Sequence, residues 1–165
     1  KIVPIIYGGG QQKGMRSGTD NVPGIAGLGV AAKMVYTDFE EKIKHMYQLK
    51  EHLAEGFLKL PDVCLNGMEL WEGAPQILSA SFMGVRSEVL LHTLEDRGIY
   101  VSAGSACSSH KRKAAGTLSA MGMEAAQRES TLRFSFSEEN TFEEVDYCLE
   151  VLGQVLPMLR RYSRH

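Results

Sequence analysis

Two apolar stripes at helical spacing constrain this chain more than any other feature. Phe39, Ile43, Met46, Leu49, Leu53, Phe57 and Leu60 follow one another at steps of three or four. That is one face of a helix of about six turns. Phe142, Val145, Leu149, Leu152 and Leu156 repeat the pattern near the other end. Each stripe opens on a capping box, Thr37-Asp38-Phe39-Glu40 and Thr141-Phe142-Glu143-Glu144, in which a hydroxyl and a carboxylate satisfy first-turn N–H groups reciprocally. Pro61-Asp62 stops the first stripe, and Pro157 is expected to kink or end the second. An earlier helix is predicted from Pro23 to about Tyr36, with Asp20 or Asn21 as its cap. Spacing alone leaves open whether the two N-terminal runs form one bent helix.

Short strands are predicted between these helices. Ile2–Tyr7 is a mostly apolar run ended by Gly8-Gly9-Gly10, Val63–Leu65 closes on Asn66-Gly67, and Ile77–Val85 places Leu78, Ala80 and Phe82 on one face. Ile99–Val101 is a further short strand. Ser87 caps a helix through about Arg97, with Gly98 as its stop. Leu132, Phe134 and Phe136 alternate with Arg133, Ser135 and Ser137, a half-buried strand. The result is an α+β layer, a small sheet covered by helices. No repeat or low-complexity segment interrupts it.

At 165 residues and 44% hydrophobic content, the chain can bury roughly two-thirds of its unfolded surface without staples. Eighteen basic against 20 acidic residues give no basic face for nucleic acid. No apolar run reaches the ~20 residues that span a bilayer, and Lys1–Tyr7 has no signal-peptide core. These features predict a cytoplasmic protein, and the opening without Met reads as a piece of something longer.

The cysteines Cys64, Cys107 and Cys148 are odd in number, which argues for a reducing compartment over a disulfide framework. Cys107 and His110 form a lone Cys-x-x-His with no second pair, so no metal site is predicted. Cys64 and Cys148 sit in apolar segments and are read as buried structural thiols. Cys107 lies in Ser102-Ala103-Gly104-Ser105-Ala106-Cys107-Ser108-Ser109, followed by His110, Lys111, Arg112 and Lys113. Small neighbours expose it and basic ones favour its thiolate. It is either a nucleophile or a plain surface thiol. Arg133 points away from Leu132, Phe134 and Phe136. Its guanidinium suits a substrate carboxylate or an ordinary salt bridge. In Gly8-Gly9-Gly10-Gln11-Gln12-Lys13-Gly14-Met15-Arg16-Ser17-Gly18-Thr19, open backbone amides with Arg16, Ser17 and Thr19 could grip a phosphate. Without Gly-Lys-Ser/Thr it is no P-loop, and the alternative is a linker.

In this order the three segments resemble the C-terminal part of a cysteine desulfurase, in the pyridoxal-phosphate-dependent class V aminotransferase group. The resemblance runs from about Gly8 to the last helix. Gln12 stands where that family usually has Glu. The family's Schiff-base lysine lies upstream of the triple glycine, and nothing here matches it. The resemblance therefore implies residues 1–22 as the end of a large domain with its Gly-rich loop. It implies 23–165 as the C-terminal small domain of a fold-type I enzyme, with a connecting helix about 23–60. It further implies pyridoxal phosphate in the full enzyme, not held covalently by this chain. Cys107 would attack the sulfur of L-cysteine and become a persulfide as alanine leaves. Arg133 would grip the substrate carboxylate. Thr19, supported by Arg16, would reach the cofactor phosphate of the second subunit of a homodimer. A sulfur-acceptor protein would take the sulfur onward. A selenocysteine lyase, another class V aminotransferase, and a stand-alone sulfur-carrier or dimerisation module are the competing readings.

Overall fold

The computed structural model describes residues 3–103 and 116–162. They fall into two compact units, residues 1–39 and 40–165.

In the first unit, the Gly-rich segment is an ordered loop held by its own polar groups. Ser17 Oγ donates to the Gly9 carbonyl at 2.7 Å, and Gln12 Nε2 donates to Asp20 Oδ1 at 2.8 Å. A short 3-10 turn at Gln11–Gly14 places Gln12 and Lys13 at left-handed φ values of 51° and 56°. The expected strand over Ile2–Tyr7 does not form among the described residues. Val3, Ile5 and Tyr7 are exposed there, and an extended segment without a ladder partner has nothing to make it a strand. Helix α1 (Val22–Tyr36) is capped by Asn21, whose Oδ1 accepts from the Gly24 N–H at 3.1 Å.

The expected capping box at Thr37 is also absent. Thr37 closes α1 instead, its N–H and hydroxyl both bonding the Lys33 carbonyl. Asp38 follows at φ 54°, a left-handed residue that no continuous helix contains. The two N-terminal runs are therefore separate helices, α1 and α2 (Phe39–Leu58).

The second unit is a four-strand antiparallel sheet in the order β1-β2-β4-β3, with β1 at Val63–Asn66, β2 at Ile77–Phe82, β3 at Ser102–Ala103 and β4 at Thr131–Ser135. Leu78, Ala80, Leu132 and Phe134 form the core face of the sheet. Leu49, Leu53 and Phe57 of α2 meet it, with Leu90 and Leu94 of α3 (Ser87–Glu95) and Val145, Leu152 and Leu156 of α6 (Phe142–Tyr162). Phe57 packs edge-on against Phe82 and Phe134, with ring centroids at 5.3 and 4.9 Å.

Several boundaries differ from the sequence expectation. Strand β2 stops at Phe82 because Gly84, at φ 80°, turns the chain. Arg86, not Ser87, is the N-cap of α3, and no side chain caps it. The helix closes through the Ile99 N–H on the Leu94 carbonyl, with Gly98 at φ 76°. Ile99–Val101 is not a strand; those residues lead into β3, where the ladder with β4 begins at Ser102. Two short helices, α4 (Gly116–Ala120) and α5 (Ala125–Glu129), fill a stretch for which the sequence predicts nothing. Helix α6 runs past Pro157 to Tyr162. Buried Val155 and Leu156 hold its last turns on the core, and that packing outweighs the lost hydrogen bond. The Thr141 box does form: the Glu144 N–H meets Thr141 Oγ1 at 3.3 Å and the Thr141 N–H meets Glu144 Oε2 at 3.0 Å.

Candidate functional site

The strand period of two sends every second side chain to the sheet face opposite the core. The residues sent there are mostly polar, with Cys64 of β1 and Ile77 of β2 as the exceptions by register. Asn66 of β1, Ser79 and Ser81 of β2, Thr131 and Arg133 of β4 and Ser102 of β3 share that face by register. At its buried end, Ser81 Oγ lies 2.8 Å from Thr131 Oγ1, Asn66 Nδ2 donates to Ser81 Oγ at 2.9 Å, and Gln127 of α5 donates to Asn66 Oδ1 at 3.0 Å. Each buried polar group thus has a partner, as burial demands.

Arg133 stands at the open end of this face. It lies between Ser79 and Ser102 in register, and its side chain is exposed. Its Nη2 donates to Ser102 Oγ at 3.3 Å. Among the described residues it forms no ion pair. The salt-bridge alternative for Arg133 therefore has no partner here, and most of the guanidinium fork is open to an outside anion.

The other expected site residues divide. Cys107, with His110 to Lys113, lies outside the described residues; the β3 pairing with β4 fixes where the chain enters that segment. Arg16 and Thr19 lie in the first unit, both exposed, and Arg16 Nη1 donates to the Thr19 carbonyl at 3.2 Å. Cys148 is buried, as expected, and burial pushes its thiol up to about 12. Cys64 is exposed, against expectation. Edge strand β1 turns Val63 and Leu65 toward the core, so the residue between them faces outward.

Sequence reasoning missed two polar features. One is the Asn66–Ser81–Thr131 network, whose only sequence signal is the alternation of Ser79 and Ser81 with Leu78 and Ala80. The other is Lys50, which is buried and donates to the Leu70 and Ala74 carbonyls at 2.8 and 3.1 Å. Desolvation lowers its amine below the usual lysine value. A groove of about 570 Å³, lined by Leu53, Ile99, Phe134, Tyr147 and Cys148 among others, does not include Arg133 or Ser102. No group of three potential metal ligands occurs among the described residues. No helix there is long and apolar enough to cross a membrane.

The Aminotransferase class-V family model matches residues 7–148. The chain belongs to that family. It is 40% identical over 154 residues to a NifS/IcsS protein homolog of Lactobacillus delbrueckii, covering 93% of this chain and 40% of that protein. It is 38% identical over 163 residues to the protein named cysteine desulfurase IscS of Methanosarcina thermophila, covering 99% of this chain and 40% of that one. Among solved structures, a NifS-like protein superimposes with a TM-score of 0.76 at 35% identity, over 94% of this chain and 39% of that one. The chain thus spans about 40% of the length of the relatives it matches. The α+β architecture expected from sequence is the one observed.

Class V membership implies pyridoxal phosphate. The described residues fit one end of that group. The Arg16 guanidinium and Thr19 hydroxyl, exposed beside the Gly-rich loop, are donors of the kind a phosphate takes. The buried amine of Lys50 is not an anchor for the other end, because two carbonyls already engage it.

Proposed function

We propose that this chain is the C-terminal part of a cysteine desulfurase, acting in the cytoplasm as a homodimer. Residues 1–22 would end a large domain and 23–165 form the small one. The observation that carries this reading is Arg133, a guanidinium on the open sheet face that forms no ion pair among the described residues, one strand pairing from the segment that contains Cys107.

Each residue has a task in that reaction. Arg133 takes the carboxylate of L-cysteine on its planar fork and fixes the direction of the rest of the molecule. The Cys107 thiolate, favoured by His110, Lys111, Arg112 and Lys113, attacks the substrate sulfur. The carbon–sulfur bond breaks, the sulfur stays on Cys107 as a persulfide, and the carbon takes up a proton and leaves as alanine. Pyridoxal phosphate, when bound, supplies the electron sink for the pair left on carbon. Thr19 and Arg16 would hold its phosphate in the second subunit. The persulfide then passes its sulfur to an acceptor protein.

The test is Arg133→Ala in the full-length protein. A charged bidentate contact is worth roughly 1.5–3 kcal/mol, so kcat/KM for L-cysteine should fall about ten- to a hundredfold. Lysine should restore it only in part, since an ammonium lacks the fork. A folded Arg133→Ala enzyme with unchanged kinetics would overturn the proposal.

A further inference from the structure

We propose that Ser102 is a positioning residue, which orients the Arg133 guanidinium for the substrate carboxylate without neutralising it. The inference rests on the carboxylate-binding role of Arg133 and adds a residue to it.

Three observations carry it. First, Ser102 and Arg133 are direct partners across the β3–β4 ladder, so the backbone sets their side chains side by side on one face. Second, Ser102 Oγ accepts from Arg133 Nη2 at 3.3 Å, and this is the hydrogen bond that the arginine side chain makes among the described residues. Third, the other flanking hydroxyl is already engaged. Ser79, across β2 from Arg133, has an oxygen that accepts from Asn66 Nδ2 at 3.3 Å.

An exposed arginine samples many rotamers, and a ligand that fixes it must overcome that entropy. A hydroxyl bonded to one nitrogen removes part of this cost in advance and leaves the other donors of the fork open. A neutral acceptor is the right kind for this task. A carboxylate at position 102 would hold the arginine more firmly, yet it would compete with the substrate for the same charge. The absence of acidic partners around Arg133 among the described residues fits that requirement.

The experiment uses the full-length protein loaded with cofactor. Ser102→Ala should raise KM for L-cysteine about three- to tenfold with kcat unchanged, because the carboxylate contact is equal in ground and transition states. Calorimetry with L-alanine, which carries the same carboxylate and does not turn over, should show a matching rise in Kd. Ser102→Thr keeps the hydroxyl and should restore both values, whereas Ser102→Asp should raise them beyond Ser102→Ala. Ser79→Ala removes a hydroxyl from the same face and should change neither. Unchanged KM and Kd in a folded Ser102→Ala protein would overturn the proposal. So would a fall in kcat alone, or a failure of threonine to rescue, since both mark a structural role. A wild-type protein that binds L-alanine but does not desulfurate L-cysteine would overturn the proposed function, while the alanine measurements would still decide the role of Ser102.

Discussion

The three cysteines have the same chemistry and three different surroundings, and the surroundings set their reactivity. Cys148 is buried between the core residues of α6, and its thiol is pushed up to about 12. Burial therefore keeps that thiol protonated and unreactive near pH 8. Cys64 has no such protection, because β1 is an edge strand and turns it outward. Cys107 is followed, after Ser108 and Ser109, by His110, Lys111, Arg112 and Lys113. Limited alkylation of the native protein near pH 8, followed by peptide mapping, should therefore label Cys107 first, Cys64 next and Cys148 only after unfolding. Labelling of native Cys148 as fast as Cys64 would contradict the burial seen here. The two apolar cysteines could not be told apart from sequence, since Val63-Cys64-Leu65 and Tyr147-Cys148-Leu149 look alike. What separates them is the period: two in a strand, 3.6 in a helix. Arg133 was legible for the same reason, because its alternation with Leu132 and Phe134 is unambiguous. Ser102 was not, because its meaning depends on a partner strand 31 positions away in sequence.

At the scale of elements, the two predicted capping boxes had opposite outcomes, although their sequences are of one form. Thr37 follows a helix that ends on it, so its hydroxyl is taken by the Lys33 carbonyl. Thr141 follows a loop, and its hydroxyl is free to cap. A box is thus legible only when what precedes it is known. Hydrogen bonds from Asn140 and the Thr141 backbone hold the Glu144 carboxyl below its ordinary value of 4.5. A lowered carboxyl stabilises the fold above its unfolded value, and that support is lost as the pH falls through the lowered one. Wild-type stability should therefore drop on acidification below 4.5 more steeply than that of Glu144→Gln, as urea midpoints across that range would show; parallel curves would refute it. The α2–α6 contact gives a sharper case. A Cβ on Gly56 would stand 2.3 Å from Leu149 Cδ1 and 2.4 Å from Cδ2. Overpacking of that kind costs about 1–3 kcal/mol, while alanine regains at most about 1 kcal/mol of helix propensity. Gly56→Ala should therefore lower the urea midpoint, and Leu149→Ala in the same chain should relieve it. Additive effects of the two substitutions would show that they do not meet.

For the molecule as a whole, burial is divided unevenly between the two units. The second unit has an aromatic and aliphatic core closed by α2, α3 and α6. That is why its α+β class was readable from two stripes and a few alternations. The first unit was not readable in this way. Helix α1 buries none of its residues, although Val22, Ile25, Leu28, Val30, Met34 and Tyr36 are all more than half exposed. Its apolar residues do not keep to one stripe, so no single face of it could be matched to a core. A helix apolar on several sides is stable in water only when something covers it, and uncovered apolar surface of this extent drives association. The family relatives are more than twice the length of this chain, which spans 40% of them, and we expect the cover to come from the rest of the protein. The isolated 165-residue chain should then bind a hydrophobic dye and self-associate at micromolar concentration. A shorter chain that begins at Asp38 keeps the whole core of the second unit. It should stay monomeric in sedimentation, bind little dye and retain a cooperative urea transition. Equal dye binding by both chains would place the exposed apolar surface outside α1, and loss of the cooperative transition in the shorter chain would show that the second unit needs the first to fold.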